Sequence, residues 1–236
     1  MNAIATSVEA PLSRRGVLQV PWPALLGPLA ATDAQALDGL AQPRQADEGQ
    51  RVFARGDAAG AVVALLEGQV ACGWWQPDRG LAAERVLHAP AWLTLAGPWV
   101  HGRHGFDALT QTPVTLVDLP LTPLRSLLSR QPMLALRFTD ALAREVDRLE
   151  GRLHELMHKD AGARLAAWIC AQFAGRPLPS VLRLSERKRD IASQLGMTPE
   201  TLSRLMRSLS DRGLISVSGY QLRVLDPQGL QGLAGA

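Results

Sequence analysis

The amino-acid sequence predicts an α+β fold made of an amino-terminal antiparallel β-roll, a long helix and a carboxy-terminal winged helix-turn-helix. Three observations lead to this prediction. Short apolar segments separated by turn residues fill the region from about 51 to 119, an apolar repeat of helical period follows Pro132, and two short helical patterns flank Gly196 ahead of a hairpin pattern. With 236 residues and 47% hydrophobic side chains, the chain is long enough to build more than one core.

Composition and periodicity divide the chain into four segments. The first is polar, contains prolines and shows no period, which indicates a tail. The others are expected to be a sensor-like β-roll domain, a helix that joins two copies of the chain, and a winged-helix domain. The boundaries expected for the four segments are residues 1–23, 24–131, 132–159 and 160–236.

The β-roll is predicted from six or more short apolar segments. One or two short helices precede them, interrupted at Pro28, and Thr32 or Asp33 is expected to cap the second. Turn residues such as Gly56-Asp57 and Glu67-Gly68 separate the segments, a spacing typical of an antiparallel barrel or roll. The predicted strands are Arg51–Phe53, Ala61–Leu66, Gln69–Trp75, Ala83–Leu87, Trp92–Leu95 and Val114–Leu119.

The long helix is predicted from an apolar stripe of helical period on an otherwise charged segment. A continuous helix over 132–159 would be roughly 40 Å long at 1.5 Å per residue, too long to be covered by the small domain before it. We therefore expect part of the stripe to pack against a second copy of the chain and form a homodimer, while a groove between the two domains of one chain is the alternative cover. The stripe consists of Leu134, Phe138, Leu142, Leu149, Leu153 and Leu156.

The most informative stretch is the pair of short helical patterns around Gly196. Ser185 can cap the first helix, and Gly196 supplies the left-handed residue that stops it. Thr198 is expected to cap the second helix, and Pro199 occupies its first position, where a missing N–H costs nothing. The register of the second helix is therefore fixed.

This register gives the second helix two faces. The apolar face holds Leu202, Leu205, Met206 and Leu209, and the outer face holds Glu200, Ser203, Arg204 and Arg207. Two short helices joined by a glycine-containing turn match the helix-turn-helix signature, in which the second helix enters the major groove of DNA. Alternating residues over 214–217 and 221–225, around Ser218-Gly219, predict a β-hairpin that would serve as a wing beside the phosphates.

Charge is distributed unevenly along the chain. Residues 159–236 hold 11 Lys and Arg against 6 Asp and Glu, whereas residues 1–158 hold 14 against 16. A basic module next to a nearly neutral one favours nucleic-acid contact at the carboxyl end, because neutralised phosphates supply most non-specific affinity. A solvated basic face is the alternative interpretation.

Several classes of protein are not expected. Cys72 and Cys170 are too few for a disulfide framework, a four-thiolate zinc site or a four-cysteine iron–sulfur cluster. The longest apolar stretches fall well short of the ~20 residues that span a bilayer, and the first residues lack a secretory pattern, so we expect a cytoplasmic protein. An enzyme that uses the loop His101-Gly102-Arg103-His104, called the histidine loop below, with Asp107 as orienting acid is a further alternative. It is not the expected function, because no nucleophile–base pair accompanies these residues.

The carboxy-terminal residues resemble a known family. The segments concerned are Asp190-Ile191-Ala192, Leu195-Gly196, Thr198-x-Glu200-Thr201-Leu202-Ser203-Arg204, Leu209 and Gly213-Leu214-Ile215. This pattern is similar to the winged helix of the Crp/Fnr transcription regulators, and Arg51–Asp57 and Leu66–Val70 resemble early strands of that family's cyclic-nucleotide-binding-like sensor domain. The likeness runs from about residue 25 to residue 230 and implies a regulator whose partners are double-stranded DNA, a second copy and RNA polymerase.

The resemblance also implies how DNA is read. Glu200, Ser203 and Arg204 match the recognition pattern of the Fnr branch, which implies an inverted-repeat operator with a TTGAT-like half-site. Chemically, arginine can pair with guanine O6 and N7, glutamate can accept from cytosine N4, and serine can meet a thymine edge. The residues expected to hold phosphates are Lys188, Arg189, Thr198, Thr201 and Arg207.

The sensor roll gives no clear ligand. The Gly-Glu and Arg-Ser or Arg-Thr pairs that hold a cyclic nucleotide are absent from 92–97 and 106–112, so cyclic AMP is not the expected effector. An alternative is a haem-based or apolar small-molecule sensor that uses the Trp- and His-rich roll, with Trp92, Trp99, His101 and His104 as candidates. Tryptophans that fill the core and histidines on an exposed loop are the competing interpretation. No metal site is expected, because the histidine loop lacks further ligands.

Overall fold

The computed structural model describes residues 20–78, 80–175, 181–184 and 186–235. They form two compact units. One unit holds the residues through Cys72 together with Leu87–Ala143, and the other holds Gly73–Val86 together with the chain from Arg144 onward. None of the helices in the described ranges is long and apolar enough to cross a membrane.

Two short helices and a series of strands form the amino-terminal part. The helices are α1 (Trp22–Leu26), α2 (Ala31–Asp38) and, between strands, α3 (Gly97–Val100). The strands are β1 (Gln42–Ala46), β2 (Arg51–Phe53), β3 (Ala61–Glu67), β4 (Gln69–Gln76), β5 (Gly80–His88), β6 (Ala91–Thr94), β7 (Asp107–Thr110) and β8 (Val114–Pro120). All six strands expected from the sequence are present, within a few residues of their predicted ends.

The strands form two four-stranded sheets with the orders β1-β8-β3-β6 and β2-β7-β4-β5. Strand β3 pairs with β8 in antiparallel register, from Ala61 opposite Pro120 to Leu65 opposite Leu116. Side chains between the sheets form one hydrophobic cluster, in which Leu65, Val70 and Leu116 are fully buried. The predicted antiparallel β-roll is confirmed.

One local prediction in this region is wrong, and one strand was not predicted. Helix α2 begins at Ala31, and Thr32 and Asp33 lie inside its first turn, so neither is the cap. Asp33 still lies where a helix N-terminus favours negative charge. Strand β1 was not predicted because its sequence is polar and contains Pro43. It is an edge strand, where proline is tolerated, and Arg44 Nε lies 2.9 Å from Asp118 Oδ2 on its neighbour β8.

Helices α4 (Leu121–Arg130) and α5 (Pro132–His158) follow the roll. With α1 and α2, α4 and the start of α5 cover a second hydrophobic cluster, to which Trp22, Leu124 and Phe138 belong. The 27 residues of α5 confirm the predicted long helix. Further along α5 the apolar stripe is open to solvent, because Leu149 is 47% exposed and Leu153 is 57% exposed.

The rest of the chain forms the carboxy-terminal elements. They are α6 (Ala161–Phe173), β9 (Val181–Arg183), α7 (Lys188–Gln194), α8 (Pro199–Asp211), β10 (Ile215–Ser218), β11 (Gln221–Val224) and α9 (Pro227–Ala234). The three strands form an antiparallel sheet of order β10-β11-β9. A third hydrophobic cluster, which includes Ile169, Ile191 and Leu222, lies within this region.

Candidate nucleic-acid interface

Helix α6 is the support on which the helix-turn-helix is built. Asp160 caps its amino end, because its Oδ1 accepts a hydrogen bond from the Ala163 amide at 2.7 Å. Leu165, Ala166 and Ile169 are buried along one face of the helix. This face belongs to the same cluster as the buried residues of α7 and α8, so the two short helices rest on a rigid base.

Helix α7 is the first helix of the motif. It begins at Lys188, with Arg187 at the cap position and no side-chain cap, and Ser185, the predicted cap, lies outside the described residues. Ile191 and Ala192 are buried, as their spacing requires. The predicted stop is confirmed, because Gly196 follows the helix with a φ of +63°, a conformation that costs other residues more than it costs glycine.

Helix α8 is the second helix of the motif, and its register is the predicted one. The Thr198 hydroxyl accepts a hydrogen bond from the Thr201 amide at 3.2 Å, and Pro199 occupies the first helical position. The side chains predicted to face the core do so: Leu202, Met206 and Leu209 are buried, and Leu205 packs partly buried against the same cluster.

The opposite face of α8 is polar and open to solvent. Glu200, Ser203, Arg204 and Arg207 are all exposed, and they follow one another at spacings of three, one and three residues. Such spacing places them along one side of a helix. A guanidinium, a carboxylate and a hydroxyl displayed together can both donate to and accept from the edges of bases.

Four of the five residues expected to hold phosphates lie at the starts of the two helices, and the fifth, Arg207, lies on the polar face of α8. Lys188 and Arg189 are exposed in the first turn of α7, Thr198 is exposed at the cap of α8, and Thr201 is half-buried one turn later. The Thr198 and Thr201 hydroxyls lie 3.2 Å apart and form a hydrogen bond with each other. The structure thus places all four on the same pair of helices as the polar face of α8.

A buried carboxylate beside these cations was not predicted. Asp190 is only 5% exposed, and its Oδ1 lies 3.5 Å from Arg189 Nε. Burial raises the pKa of Asp190, while Arg189 and Arg187 act in the opposite direction. The sequence does place an acid in the first turn of a helix, but its burial depends on packing that the local sequence does not show.

The wing is also present. Strands β10 and β11 pair from Ile215 opposite Val224 to Ser218 opposite Gln221, and Gly219 in the turn has a φ of +60°. The third strand of this sheet, β9, has only three residues and was not predicted. It adds an exposed arginine, Arg183, to the exposed Arg223 of β11.

The four effector candidates are not gathered into one site. Trp92 and Trp99 are partly buried against the cluster that α1, α4 and α5 cover, and Trp92 Nε1 donates to the Leu25 carbonyl at 3.2 Å. His101 is exposed. His104 is 8% exposed and stacks on Phe53, a residue of the cluster between the two sheets, at a centroid distance of 3.6 Å.

Metal ligands are similarly dispersed. Cys72 is buried in the roll and Cys170 is half-buried in the carboxy-terminal unit. Within 20–78, 80–175, 181–184 and 186–235, no three or more His, Cys, Asp or Glu side chains are grouped so that they could hold a metal ion.

Known proteins match both the helix-turn-helix region and most of the chain. A family model described as a Crp-like helix-turn-helix domain matches residues 163–233. The nitrogen fixation regulation protein FixK of Bradyrhizobium diazoefficiens is 24% identical over 217 residues, which cover 90% of each chain. The transcriptional activator protein Anr of Pseudomonas protegens is 26% identical over 208 residues, covering 86% of this chain and 85% of Anr.

Solved structures share the fold. FixK2 from Bradyrhizobium japonicum superposes with a TM-score of 0.68 at 21% identity, covering 83% of this chain and 98% of FixK2. The c-di-GMP responsive regulator CLP of Xanthomonas campestris gives a TM-score of 0.69 at 17% identity, covering 83% of this chain and 99% of CLP. Residues 163–233 thus match a Crp-like helix-turn-helix domain, and along most of its length the chain is similar to proteins that are transcription regulators and not enzymes.

Proposed function

We propose that this protein binds an inverted-repeat operator as a homodimer and reads each half-site through Glu200, Ser203 and Arg204. The observation that supports this most directly is the register of α8. Its apolar side is buried, and its polar side, with all three residues, is exposed. A helix so fixed can present side chains to the major groove in a single orientation.

The chemistry of the three side chains supports a TTGAT-like half-site. Arg204 can donate two hydrogen bonds to guanine O6 and N7, and Glu200 can accept from N4 of a cytosine. Ser203 can contact a thymine edge. The half-site itself comes from the likeness of these residues to the Fnr branch of the family.

Phosphate contacts would set the position of the reader. We assign them to five residues of α7 and α8 that lie at the helix starts or beside the reading face. They are Lys188, Arg189, Thr198, Thr201 and Arg207. Contacts of this kind supply affinity and salt dependence but no base preference.

The second copy would pack against the exposed stripe of α5. Leu142, Val146, Leu149, Leu153 and Leu156 follow one another at spacings of four, three, four and three residues. This is the heptad pattern of a coiled coil, and a β-branched residue at one of its a positions with leucine at the d positions favours two parallel strands. Val146, Leu149, Leu153 and Leu156 are about half exposed in the single chain, so a partner helix would bury them.

An effector other than cyclic AMP or an iron–sulfur cluster would control this activity. The two cysteines lie in different hydrophobic clusters and cannot supply four thiolates. The residue pairs that hold a cyclic phosphate are missing from 92–97 and 106–112. RNA polymerase is the expected protein partner, as the family resemblance implies.

Selection of bound sequences from random duplex DNA, with the purified protein and no added small molecule, tests this proposal. We expect an inverted repeat with a TTGAT-like half-site. Adding cyclic AMP to a titration of that site should leave the affinity unchanged. Recovery of unrelated sequences with no symmetry would contradict the proposal.

Two substitutions then separate base reading from phosphate contact. Arg204→Ala should cost about 1–3 kcal/mol per half-site and relax the preference for the guanine that it pairs with. Lys188→Ala should weaken cognate and scrambled sites alike and lower the salt slope by about one unit per contact. If Arg204→Ala reduced both affinities equally, Arg204 would be a phosphate contact and α8 would not read bases through it.

A further inference from the structure

Two arginines, one on α5 and one on α6, donate hydrogen bonds to the turn between α7 and α8. Arg164, on α6, donates from Nε to the Leu195 carbonyl at 2.8 Å and from Nη2 to the Gly196 carbonyl at 3.4 Å. Arg152, on α5, donates from Nη2 to the Gln194 carbonyl at 3.3 Å. Three successive carbonyls at the end of α7 therefore accept from two guanidinium groups.

These carbonyls need donors. The last carbonyls of a helix have no partner within the helix and carry its partial negative charge. A guanidinium can satisfy several of them because its donors are held in a rigid fork, which a lysine lacks. Arg164 also donates from Nη1 to the Lys159 carbonyl at 2.6 Å, so one side chain joins the end of α5 to the turn.

Close packing reinforces the hydrogen bonds. A Cβ at Gly196 would lie 2.8 Å from Leu156 Cδ2, closer than real side chains approach each other. The turn therefore lies directly against the last turns of α5. Because Thr198 caps α8 two residues later, any shift of this turn also shifts the start of α8.

We propose that Arg164 and Arg152 are positioning residues that fix the orientation of the reading helix without contacting DNA. This inference rests on the proposed base-reading role of α8. Arg152 adds a connection to strand β5 within the same unit, because the nitrogen that donates to Gln194 also donates to the Glu84 carbonyl at 3.1 Å. One guanidinium nitrogen thus joins β5 to the turn that precedes α8.

The surroundings of Arg152 are consistent with this role. Burial lowers the pKa of Arg152, and the positive charges of Arg148 and Arg85 lower it further. A cation in such a place is retained only if its hydrogen bonds are made, and here they are made to main-chain carbonyls.

The test compares Arg164→Lys and Arg164→Met with the wild-type protein on cognate and scrambled duplexes over a range of salt concentrations. Both variants should lose about tenfold in cognate affinity, the size of one charge-assisted hydrogen bond. Scrambled affinity and the salt slope should be unchanged. Full rescue by lysine, or an equal loss on both duplexes with a lower slope, would make Arg164 a phosphate contact and overturn the proposal.

Arg152→Met and Arg148→Met form a matched pair for the second arginine. Both lie on α5, but Arg148 pairs with Glu145 at 2.7 Å instead of with the turn. Only Arg152→Met should lower cognate affinity selectively. Equal effects of the two variants would mean that the loss comes from removing a positive charge on α5. The assignment of Arg152 as a positioning residue would then be overturned.

Hydrogen exchange gives a readout that does not involve DNA. In Arg164→Met and Arg152→Met, the amides of Met197 and Leu202, which donate to Ala192 and Thr198, should exchange faster, while those of α6 should not. Unchanged exchange at the turn would overturn the positioning role. If instead exchange at the turn rises as expected while even the wild-type protein shows no sequence preference, the proposed function fails. The role of Arg164 and Arg152 in holding the turn between α7 and α8 then still stands.

Discussion

Four arginines of the carboxy-terminal unit form two groups that differ in exposure and in what they contact. Arg204 and Arg207 are exposed on the polar face of α8, where we propose that they contact DNA. Arg152 and Arg164 are half-buried, and each already donates hydrogen bonds to main-chain carbonyls. Fewer basic side chains can therefore contact phosphates than the sequence of this region contains. The salt dependence of DNA binding should be smaller than a count of all its lysines and arginines suggests.

At His104 we predict a pH effect on the stability of the roll. Burial lowers the pKa of His104, and Arg44 lowers it too, while Asp57 opposes them. The unfolded chain would therefore bind a proton, near a pKa of about 6.5, that the folded chain does not. The free energy of unfolding should be level above this pH and decline as the pH falls below it.

The variant His104→Phe should remove this part of the pH dependence, because phenylalanine can stack on Phe53 without titrating. The measurement is denaturant unfolding between pH 5 and pH 8. His101→Gln, at an exposed position, is the control and should keep the wild-type slope. An unchanged slope in His104→Phe would mean that other groups cause the decline.

At this scale, the sequence predicts what depends on neighbours along the chain. The cap at Thr198, the proline that follows it and the leucine spacing determine which side chains of α8 face outward, and the structure agrees. It does not predict contacts made across the fold. Arg164 meets a carbonyl 31 residues away, and Arg152 meets one 42 residues away, and neither partner is a side chain that a motif could reveal.

The same division holds for whole elements. Strand β3 is predicted by a continuous apolar run, β8 by a short segment whose apolar residues are interrupted by Thr115 and Asp118, and α5 by a period that is regular over 27 residues. Strands β1 and β9 were missed because one is polar and contains a proline and the other has three residues. Such strands form only because a neighbouring strand offers hydrogen bonds. The sequence of the segment itself does not show that this partner is present.

For helix α5, we predict that Leu149→Glu combined with Leu153→Glu gives a monomer. Charges at both positions of the exposed stripe would have to be buried without partners in a dimer. Sedimentation or light scattering should show the mass of one chain, and the variant should remain folded because both residues are about half exposed in the single chain.

Met133→Glu is the matched control for this pair, because Met133 is apolar, 66% exposed and on α5 but off the heptad stripe. It should leave the wild-type assembly unchanged. A double variant that still has the mass of two chains would place the interface elsewhere.

For the molecule as a whole, the α+β plan is confirmed, because it depends on hydrophobic patterns that each unit must bury. The nature of the effector did not follow from the sequence. Two tryptophans and two histidines close together in the sequence suggest a pocket, yet His101 is exposed, His104 stacks within the roll, and Trp99 packs near Arg125 against another cluster. Closeness along the chain does not bring these side chains to one cavity, because Trp92 lies on β6, Trp99 lies on α3, and the two histidines lie on the segment between α3 and β7.

Whole-molecule symmetry leads to the last prediction, which concerns the spacing of the operator. A two-fold dimer presents two copies of α8 about 34 Å apart, one turn of B-DNA, so half-site centres should lie about 10 base pairs apart. Five base pairs inserted between them would move one half-site to the opposite side of the duplex. Only one copy could then bind, and affinity should fall by about 10²–10⁴-fold, the usual gain from a second linked contact. Fluorescence anisotropy with duplexes of the two spacings measures this directly, with a single half-site duplex as reference. The inserted operator should bind no better than that reference, since both engage one reader. Equal affinities for the natural and inserted spacings would mean that the two readers act independently, and the rigid dimer inferred from the stripe of α5 would have to be given up.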